Sequence, residues 1–201
     1  MNILFATANP GKLREVRGRL EPLGHSVELL SSRAPDATLI EPQADDLRIV
    51  CEAKLAQALT HVQRIGLAAE AVDAVLVEDA GLFIDSLGGF PGVYSAFVHG
   101  TVGLTGVLRL MRPFEASERT AAFRCVIGLA TDAGVSLHEG ECTGRITEME
   151  RGAGGFGYDP IFVPDGVDST FAEMSDEEKM SMSHRGRALD ALQASLVAAD
   201  S

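Results

Sequence analysis

Glu78 and Asp79 stand side by side in "VEDAG", directly after the apolar run "AVLV". Carboxylates delivered there arrive beside a core rather than on a solvated face. Oxygen donors in such a place suit Mg2+, a hard cation that leaves coordination positions for substrate phosphates. Successive strand residues point to opposite sides, so only one of the two is expected to face a given cleft unless the strand breaks. Glu41, in the loop "LIEPQA", is a third carboxylate that could complete a metal site. A pair of edge-facing charges and a solvated loop glutamate would leave the same local pattern.

Cations stand in two other stretches. "FATANPGK" runs from a strand into a helix opened by Gly11 and Lys12. A P-loop needs G-x-x-x-x-G-K-[ST], but Ala6 replaces its first glycine and Leu13 follows Lys12. Asn9, Gly11 and Lys12 still lie at a helix start, where N–H groups and the helix dipole favour an anion. A solvent-facing lysine in a common turn is the plain alternative. "EEKMSMSHRGRAL" gathers Lys179, His184, Arg185 and Arg187 in an otherwise acidic chain, with Ser183 suited to cap the last helix. Between these stretches, "GGFGYDP" offers Phe156 and Tyr158 as flat surfaces for a nucleobase, with Asp159 as an acceptor; core aromatics at a β-bulge would read alike. The glycines and proline of "SLGGFPGVYSAF" imply close backbone approach or positive φ.

The elements that must position these groups alternate in type. Strands are expected at residues 2–7, in "HSVELLS" and in "AVLVEDAGLFID". Further strands are expected in "RTAAFRCVIGLAT" and "GVSLHEGECTGRITEM", turned at "DAG", and in "IFVP". Helices are expected from Pro10 to about Leu23, over "DLRIVCEAKLAQALTHVQRIGLA", over "VGLTGVLRLM", and from His184 to Ala199. This mixture predicts an α/β or α+β fold. The 201 residues suit one domain, or two tightly joined lobes. A net charge of −12 argues against a nucleic-acid or anionic-membrane partner, so polyphosphate would have to be met by local cations and a divalent metal. Cys51, Cys125 and Cys142 have no zinc spacing and read as reduced, buried thiols. With no signal peptide or membrane-spanning run to be read, the expected location is the cytoplasm.

Seven collinear stretches, "FATANPGK", "EPQ", "VEDAGL", "LGGFPGVYSAF", "GFGYDPIF", "TFAEMSDEEK" and "SHRGRAL", resemble the inosine triphosphate pyrophosphatases, the noncanonical purine nucleoside triphosphate pyrophosphatases of the Ham1 type. The resemblance implies an elongated α/β fold, a mixed sheet flanked by helices, with two lobes around a central substrate cleft and a single catalytic domain over residues 1–201. It also implies Mg2+, a homodimer, and hydrolysis of ITP, dITP and XTP to the monophosphate and pyrophosphate, which cleanses the nucleotide pool. Residue by residue, Thr7, Ala8, Asn9, Pro10, Gly11 and Lys12 resemble the phosphate loop, and Lys54 a further phosphate lysine. Glu41 and Asp79, with Glu78 beside them, resemble the metal acids, and Asp79 the proton acceptor for water. Phe156, Gly157, Tyr158 and Asp159 resemble the base-stacking loop. Lys179, Ser183, His184 and Arg185 resemble the stretch that closes over phosphate and base. Ala80 departs from the Ser or Thr usual in the family; one lost hydrogen bond there costs about 1 kcal/mol.

The chemistry expected is attack of water on the triphosphate, with Asp79 accepting the proton and Lys12 and Lys179 steadying the leaving pyrophosphate. The rival readings are a phosphohydrolase that releases orthophosphate and a nucleotide-binding protein without catalysis.

Overall fold

The structure is a computed structural model and describes residues 1–66 and 72–199. One six-stranded sheet runs in the order β2-β1-β3-β4-β5-β6. Its strands are β1 (Asn2–Phe5), β2 (Ser26–Leu29), β3 (Ala74–Ile84), β4 (Thr120–Thr131), β5 (Gly134–Ile146) and β6 (Phe162–Pro164). β1 pairs in parallel with both β2 and β3, setting Ile3 opposite Val27 and Ala74, while β5 and β6 are antiparallel. Only Asp132 and Ala133 separate β4 from β5, a connection that suits antiparallel neighbours. The expected α/β class with a mixed, helix-flanked sheet is therefore what the chain adopts. By contacts the chain forms two compact units. The first comprises Met1–Asp79, Val126–Glu139 and Ala188–Ser201; the second comprises Ala80–Cys125 and Gly140–Arg187.

In the first unit, Ile3, Leu4 and Phe5 of "NILF" form a short buried run, as a strand flanked by parallel neighbours requires. Helix α1 (Pro10–Leu20) follows, with Pro10 in its first turn and Val16 and Leu20 fully buried. A four-residue helix, α2 (Leu30–Arg33), follows β2 where the sequence was read as strand through Ser31. Helix α3 (Leu47–Arg64) buries Leu47, Val50, Cys51, Lys54, Leu55 and Ala58, one stripe at helical spacing. The expected continuation of α3 into Leu67 and Ala68 lies outside the described residues.

In the second unit, Leu82, Ile84, Val107, Met111, Phe123, Phe162 and Phe171 form a continuous core. Helices α4 (Ser95–Thr101) and α5 (Gly103–Leu110) follow the glycine-proline turn; only α5 was expected. That turn does bring backbones together. A Cβ on Gly81 would lie 2.2 Å from the carbonyl oxygen of Gly92, and Gly92 itself has φ +57°. Helix α6 (Asp176–Met182) and helix α7 (His184–Ala199) close the chain. Among the described residues no helix is long and apolar enough to cross a membrane.

Arg119 ties this unit together. It is 6% exposed and donates Nε to the Ile146 carbonyl (2.9 Å), Nη1 to Met111 (2.7 Å) and Nη2 to Thr147 (2.5 Å). Arg119→Met keeps much of the volume but removes a donor from the buried Ile146 and Met111 carbonyls and from the part-buried Thr147 carbonyl, so a stability loss of about 2 kcal/mol is expected. Urea denaturation measures it; a loss below about 0.5 kcal/mol, the usual scatter of surface substitutions, would show that these bonds are replaceable.

Candidate active site

The first unit holds the loop from Thr7 to Lys12, expected to meet phosphate, and all three acids. Asn9 caps α1, its Oδ1 accepting from the amides of Gly11 (2.8 Å) and Lys12 (3.3 Å). The amide of Asn9 in turn donates to Thr7 Oγ1 at 3.1 Å. The helix start is thus capped from within, which qualifies the expectation that its N–H groups stand ready for an anion. Ala8 and Pro10 are exposed and Gly11 is buried. Lys12 turns back to the acids, its Nζ 3.2 Å from Glu78 Oε2 and 3.3 Å from the Glu78 carbonyl oxygen.

Strand β3 runs unbroken through Glu78 and Asp79 to Ile84. Its alternation sends the two acids to different lysines. Glu78, 1% exposed, meets Lys12 of α1, whereas Asp79, 5% exposed, meets Lys54 of α3. Lys54 Nζ lies 3.3 Å from Asp79 Oδ1 and 3.0 Å from Glu41 Oε1, so it bridges a buried strand carboxylate and a half-exposed loop carboxylate. Burial alone would lower the Lys54 ammonium, but Asp79 and Glu41 outweigh it and hold the lysine above its usual value. Burial raises the Asp79 carboxyl above the usual aspartate value, against the opposing pull of Lys54 and Lys12. Asp79 Oδ2 is buried and accepts no hydrogen bond from any described residue.

Lys54 entered the sequence reading by resemblance alone, although the chain carries a physical signal for it. Within the apolar stripe of α3, position 54 is the one where a charge replaces a hydrophobe. A buried lysine needs a carboxylate, and so points to one.

These groups fit a hard divalent cation in part. Glu41 and Asp79 present oxygens to one shared cationic point, and Asp79 Oδ2 is a buried acceptor without a donor. No three acidic, histidine or cysteine side chains converge on one point among the described residues, and Glu78 faces Lys12 instead. Two carboxylates remain enough for Mg2+, which completes its shell with waters and substrate phosphates.

The second unit holds the aromatic loop and the last cations. Asp159 Oδ2 accepts from the Phe156 amide and from Lys179 Nζ, both at 2.7 Å, and the Asp159 and Lys179 side chains are each 4% exposed. Asp159 therefore closes its own loop, and Lys179 holds it closed. In this structure the Asp159 carboxylate and the Lys179 ammonium, expected to meet base and phosphate, meet each other. A Cβ on Gly155, where φ is +68°, would fall 2.1 Å from Asp159 Oδ2, so only glycine permits the closure. Gly157, at φ +63°, makes the next bend.

Tyr158 also departs from expectation. It is 4% exposed, donates its hydroxyl to the Ser95 carbonyl at 2.8 Å, and meets His99 edge-on. Burial pushes its phenol up to about 12, so it remains a donor. It packs as a core aromatic, whereas Phe156 of the same loop is half-buried. Lys179 Nζ and the Arg185 guanidinium lie 4.6 Å and 5.4 Å from the centre of that ring.

Ser183 caps α7 as expected, its Oγ accepting from the Gly186 amide at 3.0 Å. His184 is buried and stacks flat on Phe123, with ring centres 4.6 Å apart. Arg185 is 2% exposed and Ala80 half-buried within β3. Sequence reasoning missed Ser95 and Phe123. Ser95 Oγ accepts from the Leu82 amide and donates to the Gly92 carbonyl, while its own carbonyl receives Tyr158. Nothing local distinguishes that serine from any other.

Fold and site define an α/β protein with buried carboxylates paired to lysines beside a strand-to-helix loop, and with an aromatic loop flanked by cations. The chain belongs to the Ham1 family, which matches residues 3–195. It is 44% identical over 191 residues to the dITP/XTP pyrophosphatase of Pyrococcus horikoshii, covering 95% of this chain and 94% of that protein. A HAM1 protein from Coxiella burnetii superposes with a TM-score of 0.82 at 29% identity, covering 98% of each chain. A nucleoside-triphosphatase / dITP/XTP pyrophosphatase from Mycobacterium abscessus does so with a TM-score of 0.71 at 34% identity, covering 96% of this chain and 97% of that one. The resemblance carried by the seven sequence stretches is thus a family membership.

Proposed function

We propose that this chain is a nucleoside triphosphate pyrophosphatase that hydrolyses ITP, dITP and XTP to the nucleoside monophosphate and pyrophosphate with Mg2+. The observation that carries the reading is the buried Asp79 carboxylate, with Oδ1 on Lys54 and Oδ2 unpartnered, in a chain similar over nearly its whole length to a dITP/XTP pyrophosphatase. The cytoplasmic homodimer belongs to the same reading.

The two oxygens of Asp79 have separate tasks. Oδ1 shares a cation with Glu41, and Oδ2 accepts a proton from the attacking water. A carboxylate whose affinity for protons is raised by burial is the better base. Mg2+, when held by Glu41 and Asp79, supplies positive charge to phosphate oxygens as the anhydride breaks. Lys12 and Lys54 are the cations of the first unit that hold phosphate as point charges.

In the second unit, Phe156 is the surface on which a base stacks, and the Asp159–Lys179 pair keeps its loop in place. Arg185, beside that ring, carries N–H donors suited to the O6 acceptor of a 6-oxopurine. Adenine would turn an amino group toward those donors and leave them unmatched, which gives large discrimination.

A pyrophosphate-release screen across nucleoside triphosphates, with and without Mg2+, tests the reading. ITP, dITP and XTP are expected to exceed ATP by about 10²-fold or more in kcat/KM. Orthophosphate as the product from ITP would instead place the chain among other phosphohydrolases.

A further inference from the structure

We propose that Lys54 is an internal counter-ion that stands at the metal position in the free protein and is exchanged for the divalent cation when nucleotide binds. The inference rests on the Mg2+ reading above and adds an order of events to it.

Charge and burial carry it. Within the first unit three carboxylates, Glu41, Glu78 and Asp79, meet two ammonium groups, Lys12 and Lys54. The side chains of Glu78, Asp79, Lys54 and Lys12 are 0%, 8%, 11% and 16% exposed, so a missing cation would leave buried negative charge uncompensated. Lys54 Nζ lies between Glu41 Oε1 and Asp79 Oδ1, the two oxygens best placed to share a metal. An ammonium and a divalent ion cannot both occupy the space between the same two oxygens. The unpartnered Asp79 Oδ2 shows that one lysine does not satisfy this carboxylate.

The exchange needs little movement. Helix α3 stays anchored through Leu47, Val50, Cys51, Leu55 and Ala58, while the flexible lysine stem lets the head swing. Glu41 is half-exposed on a loop and can adjust, whereas Asp79 is fixed in β3. A lysine displaced by the metal needs a new anion, and the triphosphate supplies it. Metal and nucleotide are therefore each weak ligands alone and strengthen one another by the same factor.

The experiment measures Mn2+ binding by electron paramagnetic resonance, in wild type and in Lys54→Met, with and without an ITP analogue whose α,β-bridging oxygen is a methylene. Without nucleotide, Lys54→Met is expected to bind Mn2+ at least about fivefold more tightly than wild type. The analogue is expected to tighten Mn2+ binding in wild type and to lose most of that effect in the variant. Lys54→Gln is a second neutral variant should Met not fold, and Lys54→Arg, which keeps the charge, is expected to bind Mn2+ as weakly as wild type. Equal or weaker Mn2+ binding by the neutral variants, with metal-dependent pyrophosphate release intact in wild type, overturns the exchange and leaves the function standing. Absence of Mn2+ binding in every variant, even with the analogue, overturns both.

Discussion

Asp79→Asn is expected to lower kcat for ITP by about 10³-fold, the scale of a lost general base, while leaving the folded protein no less stable than wild type. The two halves of this result have one cause. Burial raises the folded-state carboxyl above its unfolded value, so the charged form is disfavoured in the native protein. For a carboxyl raised in this direction, the folded state binds the extra proton. Its contribution therefore becomes unfavourable as pH rises from the unfolded aspartate value through the folded one, and is fully unfavourable at neutral pH. Asparagine removes that cost and keeps an oxygen for Lys54 to donate to, which offsets the loss of one of the charges that hold Lys54 above its usual value, and it offers no base. Steady-state kinetics and guanidinium denaturation on the same preparation check the pair. A variant that turns over normally removes Asp79 from its role; one that is inactive and markedly unfolded shows that the loss was structural.

Lys179→Met is expected to destabilise the protein by about 3–5 kcal/mol, the range for breaking a buried ion pair from one side. The methionine retains the stem that packs near Phe156 and Phe171, so the loss isolates the charge. Asp159 would be left buried beside a loop that it closes through the Phe156 amide. The double variant Lys179→Met with Asp159→Asn is expected to recover more than half of the loss, since the stranded charge is gone and an acceptor for that amide remains. Denaturation midpoints across the four proteins measure the coupling. A double variant as unstable as Lys179→Met alone would mean that packing, not charge, dominates.

Much of the fold was legible. Every strand of the sheet stands where alternation or a buried apolar run put it, and α3 and α7 follow from long helical stripes. The elements that escaped were α2, α4 and α6, of 4, 7 and 7 residues. Helices so short have no period to read and form because tertiary contacts offset their nucleation cost. One of them did carry a local signal. Ser175 and Glu178 make a capping box at the start of α6, written plainly as S-x-x-E.

The site was legible as parts and not as pairs. Residue type and neighbourhood marked Lys12, Glu41, Glu78, Asp79, Phe156 and the last cations, because charges beside apolar strands and aromatics among glycines need a reason to be there. Those properties belong to the chain itself. Which lysine meets which acid does not. Lys12 and Glu78 lie 66 positions apart, Lys54 and Asp79 25, and Lys179 and Asp159 20. Such groups meet only where the pairing of strands and the docking of helices bring them, and burial then decides whether a polar group faces a ligand or the protein. That is why Tyr158 packs in the core, why Asp159 meets Lys179 and the Phe156 amide, and why Lys54, sitting in an apolar stripe, meets both Glu41 and Asp79.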